Sequence, residues 1–389
     1  MSQLKVGLIG CGGISGAHMG GYRELWDRDF RLFDIVAAAD VNIDAANTRA
    51  GEAQEIQGGN KPKAYDTVAE MLDKHPEIDC VDICTLHSEH HGLATQALQA
   101  GKHVIIEKPL GITMRAGKQI IDAATTNNRV LSVAENYRLS RHERARCWAV
   151  QQGMIGDVRM FFWIDVGESL GKWGWRNFKM QAGGGWALDG GVHFTDLMRF
   201  HLGLEAKEVY AVNKAYEPFR YGDVKERSDG YEVDVEDCMI STITFDQGVS
   251  AQWTWVGSAP GQGFNRKTIY GSEGSLDWGS GLHQRNTGDV ISTDEIYQKF
   301  MSSLSESERE YFFPRDIDNT IAIELKYFAD AINSGSQPEV DGLEGYRSQA
   351  ICMAVYESGY FGRSVTIEEI ENLSLEGYQK EINDEIGVE

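Results

Sequence analysis

Over the first 135 residues, short apolar runs alternate with stretches of helical periodicity. Residues 4–9, 33–39, 64–65, 81–85, 103–106 and 130–134 read as strands. Residues 14–26, 44–53, 68–74, 91–100 and 115–127 read as the helices between them. Strands that are apolar throughout are buried on both faces, and parallel neighbours need a crossover, so this segment is restricted to a doubly wound parallel sheet. After about residue 150 the pattern changes. Residues 158–166, 207–216, 236–245, 249–256, 268–270 and 275–278 read as strands, with turn chemistry at Asp246-Gln-Gly248 and at Gly271-Ser-Glu-Gly274. Strands joined this way predict a large open, mostly antiparallel sheet in an α+β domain. Helices over 318–334 and 345–359 are expected to cover one of its faces. The predicted division is 1–135, an α/β domain on a parallel sheet, and 136–389, an α+β domain.

The first strand runs into Gly10-Cys-Gly12-Gly13-Ile14-Ser15-Gly16, which opens the first helix. This nearly matches G-x-G-x-x-G/A, with Ser15 in the third position. Glycines at such a junction let backbone N–H groups approach a pyrophosphate. Asp40 ends the second strand, where a carboxylate accepts from ribose hydroxyls and repels a 2′-phosphate. No Arg or Lys follows before Arg49, so the reading favours NAD over NADP.

Three further segments carry a specific resemblance. Ala100-Gly-Lys-His-Val-Ile-Ile-Glu107-Lys108-Pro109 places Glu-Lys-Pro directly after the fifth strand. Gly183-Gly-Gly185-Trp-Ala-Leu-Asp189-Gly-Gly191-Val-His193-Phe-Thr-Asp196 sets Asp and His four residues apart. Thr85-Leu-His87-Ser-Glu-His90 follows the fourth strand. With the glycine-rich start, the chain resembles the Gfo/Idh/MocA oxidoreductases. The resemblance thins beyond about residue 280, and Thr85-Leu86 stands where many members have Thr-Pro. It implies a Rossmann domain over 1–135, a domain over 136–389 for substrate binding and oligomerisation, and an NAD(P)-dependent dehydrogenase or reductase of sugars, inositols or related polyols, with NAD the cofactor that Asp40 favours. It places Lys108, Asp189 and His193 on the catalytic positions. It implies cofactor contacts from Gly10, Gly12, Gly13, Ile14, Asp40, Thr85, His87, His90, Glu107, Lys108, Asn136 and Arg176. No metal is expected: His87, His90 and His91 lack a carboxylate or Cys pattern to complete a site. His18 reads as structural.

The residue types suit the chemistry. Oxidising an alcohol moves a hydride to the cofactor and a proton to a base. A histidine with an ordinary pKa of ~6.5 serves as that base, which suits His193. On a helix Asp189 and His193 would share a face, where Asp189 orients the ring or binds a hydroxyl. Lys108 would hydrogen-bond the reacting oxygen and stabilise alkoxide charge.

The formal charge of −22 argues against nucleic acid or an anionic membrane as partner, since both demand a basic face. Two stretches run against it. Residues 169–188 hold Lys172, Arg176 and Lys179 with no acid but three Trp, Trp173, Trp175 and Trp186. Residues 136–148 hold Arg138, Arg141, Arg144 and Arg146 against Glu143. Aromatic faces beside polar groups suit a sugar ring, and the cations suit an anionic substituent. Arg138, Lys172, Trp173, Trp175 and Arg176 therefore join Lys108, Asp189 and His193 as expected substrate contacts. The four-arginine run reads equally well as an ion-paired helix face.

Three functions fit. The first is an NAD-dependent oxidoreductase acting on a hydroxyl of a sugar, polyol or glycoside. The second is an NAD-dependent glycosidase working by oxidation, elimination, hydration and reduction on an anionic glycoside such as a sulfoquinovoside. The third is a non-catalytic NAD-sensing regulator. Six scattered Cys predict free thiols in the reducing cytoplasm, with Cys80 and Cys84 as small buried hydrophobes. An open sheet face predicts a homodimer or homotetramer. Residues 367–389, eight acids against one Lys, read as a solvated helix face or frayed tail.

Overall fold

The computed structural model describes residues 3–388 and separates into two compact units. The first takes in the chain up to Ile112, Ala116–Ser140 and Ser305–Tyr346; the second takes in Thr113–Arg115, Arg141–Leu304 and the chain from Arg347 on.

The first unit is built on six parallel strands: β1 (Leu4–Ile9), β2 (Phe33–Ala39), β3 (Lys63–Tyr65), β4 (Cys80–Ile83), β5 (His103–Glu107) and β6 (Leu131–Ala134). Their order is β3-β2-β1-β4-β5-β6. The order reverses between β1 and β4, and the crevice at the carboxyl ends of such a pair is where doubly wound sheets take their ligands. The helix Thr320–Ser334, expected on the second sheet, belongs to this unit instead and packs on the helix Gly13–Asp27. Gly21 permits the approach, because a Cβ there would lie 2.9 Å from Ile321 Cγ2. The periodicity finds such a helix, but no local signal states which sheet it covers.

The second unit carries β7 (Val158–Val166), β8 (Ala206–Lys214), β9 (Phe219–Asp223), β10 (Ser228–Glu232), β11 (Cys238–Phe245), β12 (Ser250–Val256), β13 (Phe264–Gly271), β14 (Gly274–Asp277), β15 (Gly281–Gln284), β16 (Val290–Ile291) and β17 (Val365–Thr366). Nine of these form one sheet in the order β16-β15-β14-β13-β7-β12-β11-β8-β17. All its pairings are antiparallel except β12 with β7. Phe161, Trp163, Ile243 and Trp253 are buried on one face, while Met160, Tyr210, Val212 and Ile240 stand exposed. Hairpin β9–β10, absent from the strand pattern, forms a separate two-stranded sheet.

The acidic C-terminal stretch is not a frayed tail. It folds as the helices Ile367–Glu371 and Lys380–Ile386, with Ile370, Gln379 and Ile382 fully buried. Gln379 accepts from the Met114 N–H at 2.7 Å, Asn383 accepts from Thr113, and Tyr378 stacks on Tyr356. Glu368, Glu381, Asp384 and Glu385 are exposed and Glu376 pairs with Arg115, so the net charge of the stretch says little about its order. All six cysteines are free and buried. Among the described residues no helix is long and apolar enough to cross a membrane.

Candidate active site

The glycine-rich turn follows β1 at the switch point. Gly10 has φ +82°, and a Cβ on it would meet the Cys84 carbonyl oxygen at 2.4 Å, so the close pass of this turn over the end of β4 requires glycine. Gly12 and Gly13 face open space. The helix that starts at Gly13 has no side-chain cap and no acid in its first turn. Its leading N–H groups are therefore free of side-chain acceptors, as a pyrophosphate site requires. Ile14 is exposed on that turn. Ser15 departs from glycine for a visible reason: its hydroxyl donates to the Gly12 carbonyl and accepts from Arg49 Nε at 2.9 Å.

Asp40 holds the turn from β2. Its two oxygens accept from the N–H groups of Cys11 at 2.6 Å and Asn42 at 2.7 Å. The remaining lone pairs suit a ribose diol. Arg49 also donates to the Gly12 carbonyl and to Glu52, so all three of its nitrogens are engaged. Thr85, half-buried, lies against the Gly10 turn, and His87 is buried 5.7 Å from the His90 ring. Asn136 leads the short turn Tyr137–Leu139 after β6.

Lys108 is fixed from both sides along the main chain. Its N–H donates to Glu107 Oε2 at 3.1 Å, and the next carbonyl, that of Pro109, accepts from His90 Nδ1 at 2.8 Å. Burial pushes His90 down to about 3, with the neighbouring His87 adding to it, so the ring donates as a neutral imidazole.

In the second unit Asp189 closes the short helix Trp186–Asp189, and His193 lies in the first turn of the helix Gly191–Leu202. The helical segment is thus interrupted at Gly190. Both side chains are buried. Asp189 Oδ1 accepts from Arg176 Nε at 3.1 Å, and the Arg176 guanidinium lies 4.3 Å from the Trp175 ring centroid and 5.4 Å from that of Trp173. Arg176 also lines a cavity of about 310 Å³ with Lys172, Trp173, Trp186, Arg220, Glu236 and Trp255. Trp186 and Trp255 stack at 5.0 Å in its wall.

Two domain descriptions match the chain. One, an oxidoreductase family with an NAD-binding Rossmann fold, matches residues 4–135; the other, that family's C-terminal alpha/beta domain, matches residues 148–367. The chain belongs to the Gfo/Idh/MocA oxidoreductase family. A 1,5-anhydro-D-fructose reductase of Ensifer adhaerens is 29% identical over 84% of this chain and 91% of its own length. A levoglucosan dehydrogenase of Pseudarthrobacter phenanthrenivorans is 30% identical over 71% of this chain and 73% of its own. A solved levoglucosan dehydrogenase in complex with NADH and levoglucosan superposes with a TM-score of 0.74 at 25% identity, covering 94% of this chain and all of that one.

In this Gfo/Idh/MocA oxidoreductase the basic segment is not a free positive patch. Lys172 pairs with Asp229 at 2.7 Å, Arg176 with Asp189, and Lys179 with Glu381 at 3.2 Å. The expectation of a locally cationic pocket is corrected accordingly, because acids distant in sequence fold onto each base. The arginine run is likewise partnered: Arg138 meets Glu344 at 3.4 Å, Arg141 donates to the Tyr297 hydroxyl, and Arg146 pairs with Glu143.

Sequence reasoning missed Glu236 and Arg220, and saw Arg49 only as the first base after Asp40. Glu236 is buried and accepts from the N–H groups of Gly185 and Ala187 and from the Tyr356 hydroxyl. It explains the glycines: a Cβ on Gly185 would lie 2.8 Å from its carboxylate, and one on Gly184 would lie 2.4 Å from Tyr356. Burial raises the Glu236 pKa, opposed by the hydrogen bonds it accepts. The only sequence signal for it was an acidic pair at the head of an apolar strand.

Proposed function

We propose that this oxidoreductase exchanges a hydride between NAD and a hydroxyl-bearing carbon of an uncharged sugar, polyol or glycoside. The observation that carries this reading is Asp189, held by Arg176 beside a cavity walled by Trp173, Trp186 and Trp255. Flat indole faces suit the C–H faces of a sugar ring, while Asp189 and Lys172 suit its hydroxyls. Because each base of the segment has an acid against it, a neutral substrate fits better than an anionic one. Relatives that act on anhydrofructose and levoglucosan support the substrate class.

The cofactor is supported by the uncapped helix start and the open space above Gly12 and Gly13. When bound, NAD accepts or returns the hydride. Gly10, Gly12, Gly13 and Ile14 would hold its phosphates, Asp40 its ribose, and Thr85, His87, His90, Glu107 and Asn136 the rest of its groove. Arg176, proposed from the sequence as a cofactor contact too, is better supported as the partner of Asp189. His193 takes the hydroxyl proton, Asp189 holds a substrate hydroxyl and orients His193, and Lys108 donates to the reacting oxygen. Trp175 supports Arg176, and Arg138 shapes the turn after β6 through Glu344. Residues 1–135 serve the cofactor and residues 136–389 the substrate and assembly.

A second copy of the chain would cover the exposed sheet face that carries Met160, Tyr210, Val212 and Ile240. Six free buried thiols fit a cytoplasmic setting.

The test is a panel of neutral and anionic sugars and glycosides, followed for NADH and for released aglycone. NADH formation on neutral sugars is expected. Aglycone release without net NADH would replace this reading with the glycosidase one, and no turnover on any member would favour a regulator. Light scattering at micromolar concentration would overturn the assembly proposal if it returned a monomer.

A further inference from the structure

Beneath β4 and β5, inside the first unit, lies a group of ionisable side chains for which the proposed chemistry has no use. His18 is 1% exposed, and both its ring nitrogens face carboxylates: Nδ1 lies 2.9 Å from Asp82 Oδ2 and Nε2 lies 3.2 Å from Glu107 Oε1. Tyr22 donates its hydroxyl to the same Asp82 oxygen at 3.1 Å, and the Cys84 thiol lies 3.6 Å from the other. Glu324 is buried against this group from the helix Thr320–Ser334.

His18, Asp82 and Cys84 bring ligand atoms within 4.8 Å of one another, which raises a metal site. The ring geometry speaks against it. A ligating nitrogen must offer its lone pair, whereas here both nitrogens point at acceptors, so each carries a proton. Burial pulls the His18 pKa down most strongly of any single cause, but Asp82 and Cys84 together outweigh it and the net shift is upward. Glu324, by contrast, is driven strongly toward its neutral form by burial, with neither oxygen hydrogen-bonded. The cluster therefore holds one imidazolium clamped between two carboxylates.

One of those carboxylates leads directly to the proposed chemistry. Glu107 gives one oxygen to His18 and the other to the main-chain N–H of Lys108. We propose that His18 is a positioning residue: as a double donor anchored on Asp82, it fixes the Glu107 carboxylate, which in turn fixes the start of the Lys108 side chain. The network spans Asp82 in β4, His18 in the first helix and Glu107 at the end of β5, three elements that also border the cofactor crevice. The kinetic consequence rests on the role given above to Lys108; the structural one does not.

The experiment uses the full chain as His18→Leu, which removes both donors, and His18→Gln, which restores one. A Leu98→Ala variant, buried elsewhere in the unit, serves as the control for general destabilisation. Amide hydrogen exchange is read at Lys108 and across the other strands. In His18→Leu the Lys108 amide should exchange ~10-fold faster or more while β1 and β2 keep their protection, with an intermediate value in His18→Gln. Unchanged exchange at Lys108, or a rise no more local than in Leu98→Ala, overturns the proposal. If His18→Leu does not fold, His18→Gln against Leu98→Ala decides the same question. On the kinetic side, kcat should fall ~10-fold in His18→Leu with cofactor Kd little changed, and the same His18→Leu change made in a Lys108→Ala background should cost little more. Full activity in Lys108→Ala alone would remove the catalytic reading of Lys108 and leave the exchange result to judge His18.

Discussion

Arg176 Nε donates to Asp189 Oδ1 across 3.1 Å, with the guanidinium resting against Trp175. The pair joins a basic segment to the motif that carries Asp189 and the proposed base, His193. A planar, stacked guanidinium holds a carboxylate in one orientation, which a lysine ammonium on a flexible stem does not. Arg176→Lys should therefore lower kcat with NAD affinity retained, and Arg176→Ala should lower it further, by ~10–100-fold, because small misplacements of reacting groups act on that scale. Steady-state kinetics alongside NADH-fluorescence titration checks both. Full activity in Arg176→Ala would show that Asp189 needs no such partner.

Asp40 links cofactor choice to loop shape, since its oxygens hold the Cys11 and Asn42 amides. Asp40→Ser should weaken NAD binding by ~10-fold, the cost of one charge-assisted pair of hydrogen bonds, and narrow the preference over NADP. Because the nitrogens of Arg49 are engaged by Gly12, Ser15 and Glu52, a full switch to NADP is not expected. Parallel titrations with NADH and NADPH measure it.

The turn before Asp189 is shaped by the buried Glu236 carboxylate. Gly185→Ala would place a methyl 2.8 Å from it and should destabilise the chain by ~1–3 kcal/mol, the usual cost of overpacking. Glu236→Gln turns one acceptor end into a donor that faces N–H groups, and should cost ~1–3 kcal/mol for the unsatisfied contacts. Thermal melts of the two variants report these losses, and activity should fall with them because the same turn carries Asp189.

Stability should depend on pH from both sides. His90 is pushed down to about 3 and His103 to about 4, in both cases chiefly by burial. A folded-state pKa below the unfolded value means the unfolded chain binds more protons, so stability is lost as pH falls from ~6.5 toward 4 and below. His18 has the opposite sign: its pKa is raised in the folded state. Its contribution is complete below ~6.5 and is lost as pH rises through the folded value. Urea midpoints measured from pH 4 to 9 should pass through a maximum. His18→Gln should flatten the alkaline limb, and an unchanged limb would refute the charge assigned to His18.

Much of the candidate site could be read from the sequence because the motifs that suggest it are local. The run from Gly10 to Gly16 sits at a strand–helix junction that the apolar pattern reveals, and Glu107-Lys108-Pro109 follows a strand whose end is equally plain. Asp189 and His193 lie four residues apart in one glycine-rich motif, so a short stretch of sequence names both. Arg176–Asp189 spans thirteen residues, and Glu236 reaches Gly185 over fifty-one, so neither pairing follows from helix or strand spacing. The basic Trp segment misled for the same reason, whereas the arginine run agrees with its alternative reading as an ion-paired face. Charge summed over neighbours in sequence ignores Glu344, Asp229 and Glu381, which arrive from elsewhere in the chain.

By itself the sequence determined the parallel sheet of residues 4–134, the hairpin-built second sheet, the cofactor turn and the residue types for hydride chemistry. These follow from periodicity, turn residues and short motifs, all of which act over a few residues. Only the tertiary structure decided that the helix Thr320–Ser334 returns to the first unit and that the acidic C-terminal stretch packs. It alone decided that Lys172, Arg176 and Lys179 each have an acid against them and that His18 lies clamped between Asp82 and Glu107. Those outcomes depend on which distant side chains share a desolvated volume, where an unpaired charge is costly and a partner must be found.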